Sequence, residues 1–131
     1  MRIVLDTNVI VAAFASRGLC AEVFEVCITG HTLVTSDFIL DEIRSSLLKK
    51  LKLPKHVVRE VIEYLRDVSE IVEPDLINRS VCKDKDDLPV IGTATKGNAS
   101  YIVTGDADLL SVENYRGIDI ITPRQFWERL R

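Results

Sequence analysis

Apolar residues fall in short runs along this chain, each closed by polar punctuation, at 2–5 (RIVL), 32–35 (TLVT), 70–72 (EIV), 101–104 (YIVT) and 118–121 (IDII). Runs of this length predict buried β-strands. Between them apolar positions recur at helical spacing, which predicts helices over 8–15, 20–29, 37–50, 55–68 and 88–98, a short turn near 107–113 and a last helix over 123–130. Strands that alternate with helices predict an α/β fold with a parallel sheet and helices on both faces, because parallel neighbours need crossover connections and those connections are helical. Helices 37–50 and 55–68 meet around Pro54 with no strand between them, so they should form an αα-hairpin standing off the sheet, an arm suited to lining a groove or a dimer interface. In the second of them Val57, Val58, Val61, Ile62 and Leu65 make a core-facing stripe. Ser36, Asp87 and Thr122, the last followed by Pro123, stand at N-cap positions.

Length and composition narrow this picture. The 131 residues predict one domain over 1–131, and with 47% apolar and 28% charged residues the chain is globular rather than disordered. A net charge of −3 argues against attraction of the whole surface to nucleic acid, so any grip on phosphate must come from a local patch or a metal. The chain starts without an apolar signal region and has no run of about 18 apolar residues, which predicts a cytoplasmic protein with no membrane contact. Cys20, Cys27 and Cys82 are an odd count without CxxC spacing. The first two lie two helical turns apart, about 10 Å, too far for a disulfide, so reduced core thiols are expected. His31 precedes a strand and His56 starts a helix, leaving no zinc set and no Ser-His-Asp or Cys-His arrangement. Tyr101 and Phe14 are expected in the core, and no aromatic motif for stacking bases is present.

The acids carry the chemistry. In open parallel sheets ligands bind beyond the carboxyl ends of the strands. Asp6 follows the first strand directly, and Asp106, with Asp108 behind it, follows YIVT. Glu42 lies near the edge of the apolar face of its helix, and Asp84, Asp86 and Asp87 precede the helix at 88, which one of them should cap. Any one of these acids alone reads as a cap or a solvated side chain. Together at one rim they repel, and a hard divalent ion with oxygen ligands, Mg²⁺ or Mn²⁺, is the natural compensation. Such an ion can activate water and stabilise charge on a phosphoryl oxygen, which points to phosphodiester hydrolysis.

The stretches VLDTNVIVAAF, SDFILDEI, DKDDLPVIGTA and YIVTGDADLL, in this order, resemble the PIN domain family, in particular small stand-alone prokaryotic proteins of the VapC-like toxin type. The resemblance covers nearly the whole chain. It implies a three-layer α/β/α sandwich around a mostly parallel sheet of about five strands. It also implies a Mg²⁺- or Mn²⁺-dependent ribonuclease acting on single-stranded RNA, often dimeric and often neutralised by a small antitoxin. Carried over by position, it assigns catalysis and metal binding to Asp6, Glu42, Asp87 and Asp106, with Asp108 as an auxiliary ligand and Asn8 and Thr104 as supporting polar residues. Asp87 is preferred to Asp86 because Ala94 stands seven residues on, as in the family.

Arg44, Lys49, Lys50, Lys52, Lys55 and Arg59 form a segment without acids, read either as cations closing a helix or as an arm that contacts RNA or an acidic antitoxin segment. Two alternatives stand beside the nuclease. Asp6-Thr7-Asn8-Val9 and Gly105-Asp106-Ala107-Asp108 resemble motifs of haloacid-dehalogenase-like phosphatases, although Asn8 occupies the place of that family's general acid. The other is a catalytically inactive PIN-like module that binds RNA or protein.

Overall fold

A computed structural model describes residues 1–130. Six strands form one sheet: β1 (Arg2–Leu5), β2 (Thr32–Thr35), β3 (Ser69–Ile71), β4 (Tyr101–Val103), β5 (Asn114–Tyr115) and β6 (Ile118–Ile121). Their order is β3-β2-β1-β4-β6-β5, parallel throughout except for β5, which runs antiparallel to β6. The helices are α1 (Thr7–Ala15), α2 (Leu19–Gly30), α3 (Asp37–Lys49), α4 (Lys55–Val68), α5 (Leu88–Lys96), α6 (Ala107–Leu110) and α7 (Pro123–Arg129), with a 3₁₀ turn at Lys85–Asp87 before α5.

The crossovers β1–β2 and β2–β3 move along the sheet in one direction and β3–β4 returns in the other, so right-handed connections place their helices on opposite faces. The result is an α/β/α sandwich. The apolar runs become the fully buried layer: Ile3, Val4, Leu5, Leu33, Val34, Ile102 and Val103 are at most 1% exposed. Strands buried on both faces read as continuous apolar runs rather than as alternation, which is the pattern seen here.

β5 is the strand the sequence pattern does not announce. It has two residues and closes a hairpin through Arg116 and Gly117, both at positive φ (52° and 88°). That turn is usually marked by Asn-Gly or Asp-Gly, and an arginine in the first position hides it.

The expected caps need correction in part. Thr122 caps α7 through a full capping box with Gln125. Ser36 occupies the N-cap of α3 but its side chain accepts no capping N–H; its hydroxyl instead accepts from that of Thr93 at 2.8 Å and ties α3 to α5. Asp87 does not cap α5, because the 3₁₀ turn holds it at φ −84°, ψ −15°, outside the extended geometry an N-cap needs. Asp84 caps the 3₁₀ turn, accepting from the Asp86 N–H at 2.9 Å, and α5 itself has no side-chain cap. Phe14 is not core: it is 38% exposed, edge-on to Phe24 at 5.4 Å. Tyr101 is half-buried against Phe126. All three cysteines are free, Cys27 and Cys82 buried and Cys20 half-buried.

Gly92, inside α5, has a packing reason. The segment after β3 passes so close that a Cβ at this position would stand 2.1 Å from the Asp75 carbonyl oxygen. The Asp75 N–H donates to the Gly92 carbonyl at 3.0 Å and the Thr95 hydroxyl donates to the Asp75 carboxylate at 2.8 Å. This lock fixes the segment that leads to Asp84 and Asp87. No helix among the described residues is long and apolar enough to cross a membrane.

Candidate functional site

The chain leaves β1 for β2 on one side, while the strand on its other side is β4, so the sheet's topological switch point lies between β1 and β4. Open α/β sheets bind ligands in the crevice at this point. Leu5 pairs with Val103 in the ladder, so Asp6 and Thr104 emerge side by side at its end. The Asp6 N–H still bonds the Val103 carbonyl at 2.9 Å, which keeps the acid tied to the sheet.

Asp6 is only 6% exposed. Its Oδ1 accepts from the Thr7 N–H at 2.8 Å and its Oδ2 accepts from the buried Thr104 hydroxyl at 2.7 Å. The Thr104 oxygen in turn accepts from the Asp106 N–H at 3.0 Å, and the Asp106 Oδ2 caps α6 by accepting from the Leu109 N–H at 3.0 Å. Glu42, two turns into α3, arrives because α3 packs on α1, and its Oε1 accepts from the Thr7 hydroxyl at 2.9 Å. Asn8 closes the rim, its Oδ1 accepting from the Gly105 N–H at 3.3 Å. A carboxamide N–H is a hydrogen-bond donor but not an acid, so Asn8 has no proton to transfer as a general acid, which weighs against the phosphatase reading.

Three carboxyls in this crevice are held above the ordinary range. Asp87 is pushed up to about 8, chiefly by burial, then by a hydrogen bond to the Asp106 carboxyl and by the charges of Asp106, Asp6 and Asp84. Burial raises Asp6, against the hydrogen bonds from Thr104 and Thr7, and the charge of Asp106 adds to it. Glu42 is raised by burial and, against its bond from Thr7, by the charges of Asp6, Asp86 and Asp84. The four acids singled out in the sequence thus meet in one place and repel each other there.

Asp108 reaches Asp87 as well. Carboxylate oxygens of Asp84, Asp87 and Asp108 all come within 4.8 Å of one another, so Asp87 is shared between the strand-end acids and a second group. Asp86 is exposed; its backbone N–H donates to Asp84, and its charge bears on Glu42. The buried Cys82 thiol stands 3.8 Å from the Asp87 Oδ2 and 3.5 Å from the Asp108 carbonyl. From the sequence Thr7 has no role of its own, Asp84 is offered only as a possible cap and Cys82 only as a core thiol. The first two sit inside motifs already singled out, Thr7 between Asp6 and Asn8 and Asp84 at the head of DKDD, whereas nothing in the sequence marks Cys82 for the site.

The donor set is all oxygen, mostly carboxylate, in a crevice where proton retention is favoured by burial and repulsion. That chemistry suits Mg²⁺ or Mn²⁺ and does not suit zinc, which prefers imidazole and thiolate.

The basic residues are elsewhere. Arg44, Lys49, Lys50, Lys52, Lys55 and Arg59 are all exposed on the α3–α4 hairpin. Lys49 is seven residues past Glu42, about 10 Å further along α3. Arg44 is paired with Asp41 at 2.6 Å, and Arg66 with Asp37. A groove of about 420 Å³ runs between the two helices, its lining apolar at Leu48, Val58 and Ile62 and charged at Arg44, Lys55, Arg59, Arg66 and Glu63.

Comparison with known proteins agrees with this architecture. A PIN domain family model matches residues 2–108. Among solved structures, VapBC-1 from nontypeable Haemophilus influenzae superposes with a TM-score of 0.65 at 17% identity, covering 95% of this chain and 99% of that one. VapBC2 from Rickettsia felis, bound to a DNA fragment from its promoter, gives a TM-score of 0.62 at 15% identity, covering 92% and 97%. No curated protein sequence matches significantly.

Proposed function

This chain belongs to the PIN domain family, and we propose that it is a Mg²⁺- or Mn²⁺-dependent endoribonuclease that hydrolyses phosphodiester bonds of single-stranded RNA, the toxin member of a toxin–antitoxin pair. The single observation that carries the reading is the meeting of Asp6, Glu42, Asp87 and Asp106 at the switch point, with three of the four held toward their protonated forms. Such a group is costly unless a cation replaces the protons.

Asp6, Glu42, Asp87 and Asp106 would hold the ion, with Asp108 and Asp84 close enough to Asp87 to assist. When bound, the ion supplies a positive charge for the phosphoryl oxygens and an activated water. The chain's own contribution is orientation. Thr104 and the Thr7 N–H fix both oxygens of Asp6, the Leu109 N–H fixes Asp106, and the Thr7 hydroxyl fixes Glu42. Asn8 holds the loop at Gly105 flat against the start of α1.

The likeness to the two VapBC structures supports a small antitoxin as partner; the homodimer is what the family resemblance implies. The basic hairpin is the surface we assign to RNA or antitoxin contact.

Purified protein should cleave a single-stranded RNA oligonucleotide when Mg²⁺ or Mn²⁺ is present and stop when EDTA is added. Undiminished cleavage in EDTA contradicts the metal reading, and hydrolysis of a small phosphate monoester in preference to RNA restores the phosphatase. Metal binding without hydrolysis of any RNA favours the inactive binding module.

A further inference from the structure

We propose that Thr7 is a positioning residue that sets Glu42 for the divalent ion, a role that rests on the metal-dependent reading above. Thr7 is the first residue of α1 and follows the buried Asp6 directly. It touches two acids at once: its N–H donates to Asp6 at 2.8 Å and its hydroxyl donates to Glu42 at 2.9 Å. No other side chain among the described residues bonds the Glu42 carboxylate.

Glu42 needs such a tether more than its companions do. Asp6 and Asp106 are short side chains on the ends of strands, each held by backbone N–H groups. Glu42 projects from the second turn of α3, half-exposed, on a side chain with three rotatable bonds and into the field of Asp6, Asp84 and Asp86. Repulsion would swing it out to solvent, and fixing a free glutamate costs rotamer entropy. Thr7 counters both. Its β-branched side chain has few χ1 choices, its backbone is locked at the junction of β1 and α1, and its single proton points at Oε1, leaving the other oxygen of Glu42 open. Outer partners of this kind orient metal-binding carboxylates, and their loss typically costs ~10–100-fold in metal affinity.

Mn²⁺ binding, read as the loss of the free-ion electron paramagnetic signal, tests this on the whole chain. Thr7→Val should weaken Mn²⁺ by ~10–100-fold while Thr7→Ser keeps the wild-type affinity. Because Thr7 acts through Glu42, Thr7→Val placed on Glu42→Gln should weaken binding no further than Glu42→Gln alone. Circular dichroism checks folding, and Thr7→Ala, compatible with a first helical turn, replaces the valine variant if that chain does not fold. Wild-type affinity in a folded Thr7→Val or Thr7→Ala chain overturns the proposal, as does a double variant that loses the full product of the two single effects. A wild-type chain that takes no Mn²⁺ overturns the metal reading itself, an outcome distinct from either.

Discussion

Asp87 shows best what one side chain contributes. Its carboxyl, pushed up to about 8 from 3.8 by burial and by its neighbours, binds a proton more tightly in the folded chain than in the unfolded one. Between about pH 4 and pH 8 the folded chain therefore carries more protons, and the stability of the metal-free protein falls as pH rises through that window. Asp6 and Glu42, also raised, act in the same direction. A divalent ion takes the place of the protons. Saturating Mg²⁺ should raise the melting temperature at pH 8 by more than at pH 5, and Asp87→Asn should stabilise the metal-free chain at pH 8. Scanning calorimetry at the two pH values, with and without Mg²⁺, checks both. A Mg²⁺ effect independent of pH contradicts the link between proton and metal. At this scale the sequence marked Asp6, Asp87 and Asp106 well, because each follows a strand or precedes a helix, and marked Glu42 only by its place near the edge of an apolar helix face. What it did not mark was the hydrogen-bond partner: a threonine next to an aspartate is unremarkable until Glu42, 35 positions away, is found on its hydroxyl.

The elements explain how the third acid is delivered. Asp87 depends on no strand end; it is carried by a long segment after β3 that is pinned to α5 at Asp75 and Gly92. Read as sequence, Gly92 looks like a flaw in a helix. Packed, it is the gap through which the segment passes. Gly92→Ala drives a methyl toward a backbone carbonyl that cannot swing aside, so a loss of about 1–3 kcal/mol is expected from chemical denaturation. Gly30→Ala is the control, because a Cβ there meets nothing within 4 Å. It should be neutral or stabilise by up to about 1 kcal/mol. Equal effects at the two positions would show that the lock at Asp75 has no energetic weight. The strands and long helices were legible from the period of their apolar residues. The 3₁₀ turn was not, since it depends on Asp84 capping Asp86 and Asp87 turning inward, a choice made by tertiary contacts.

Over the whole molecule, charge is sorted. A chain of net charge −3 with 20 acids brings six of them, Asp6, Glu42, Asp84, Asp87, Asp106 and Asp108, to the switch point and sets six exposed cations along the α3–α4 hairpin. The groove between those helices is lined by Leu48, Val58 and Ile62 together with Arg44, Lys55, Arg59, Arg66 and Glu63. If this hairpin contacts phosphate, Lys49→Glu with Lys50→Glu should weaken RNA binding and lessen the salt slope by about one unit for each lost contact. Filter binding at several salt concentrations measures this, and an unchanged slope returns the two lysines to the helix dipole. The fold class and the order of the elements could be read from the apolar pattern. The separation of the arm from the acids could not, because it depends on how the hairpin stands on the sheet.

The central claim is that four carboxylates at the end of β1 and around it hold the ion that cleaves RNA, and Asp6, the most deeply buried of them, tests it most directly. Single-turnover cleavage of one single-stranded RNA, in saturating Mg²⁺ or Mn²⁺, should be compared for the wild-type chain and Asp6→Asn. The account predicts a loss of at least ~100-fold, beyond what outer partners cost, with the circular dichroism spectrum unchanged. Cleavage by a folded Asp6→Asn chain at the wild-type rate would contradict it.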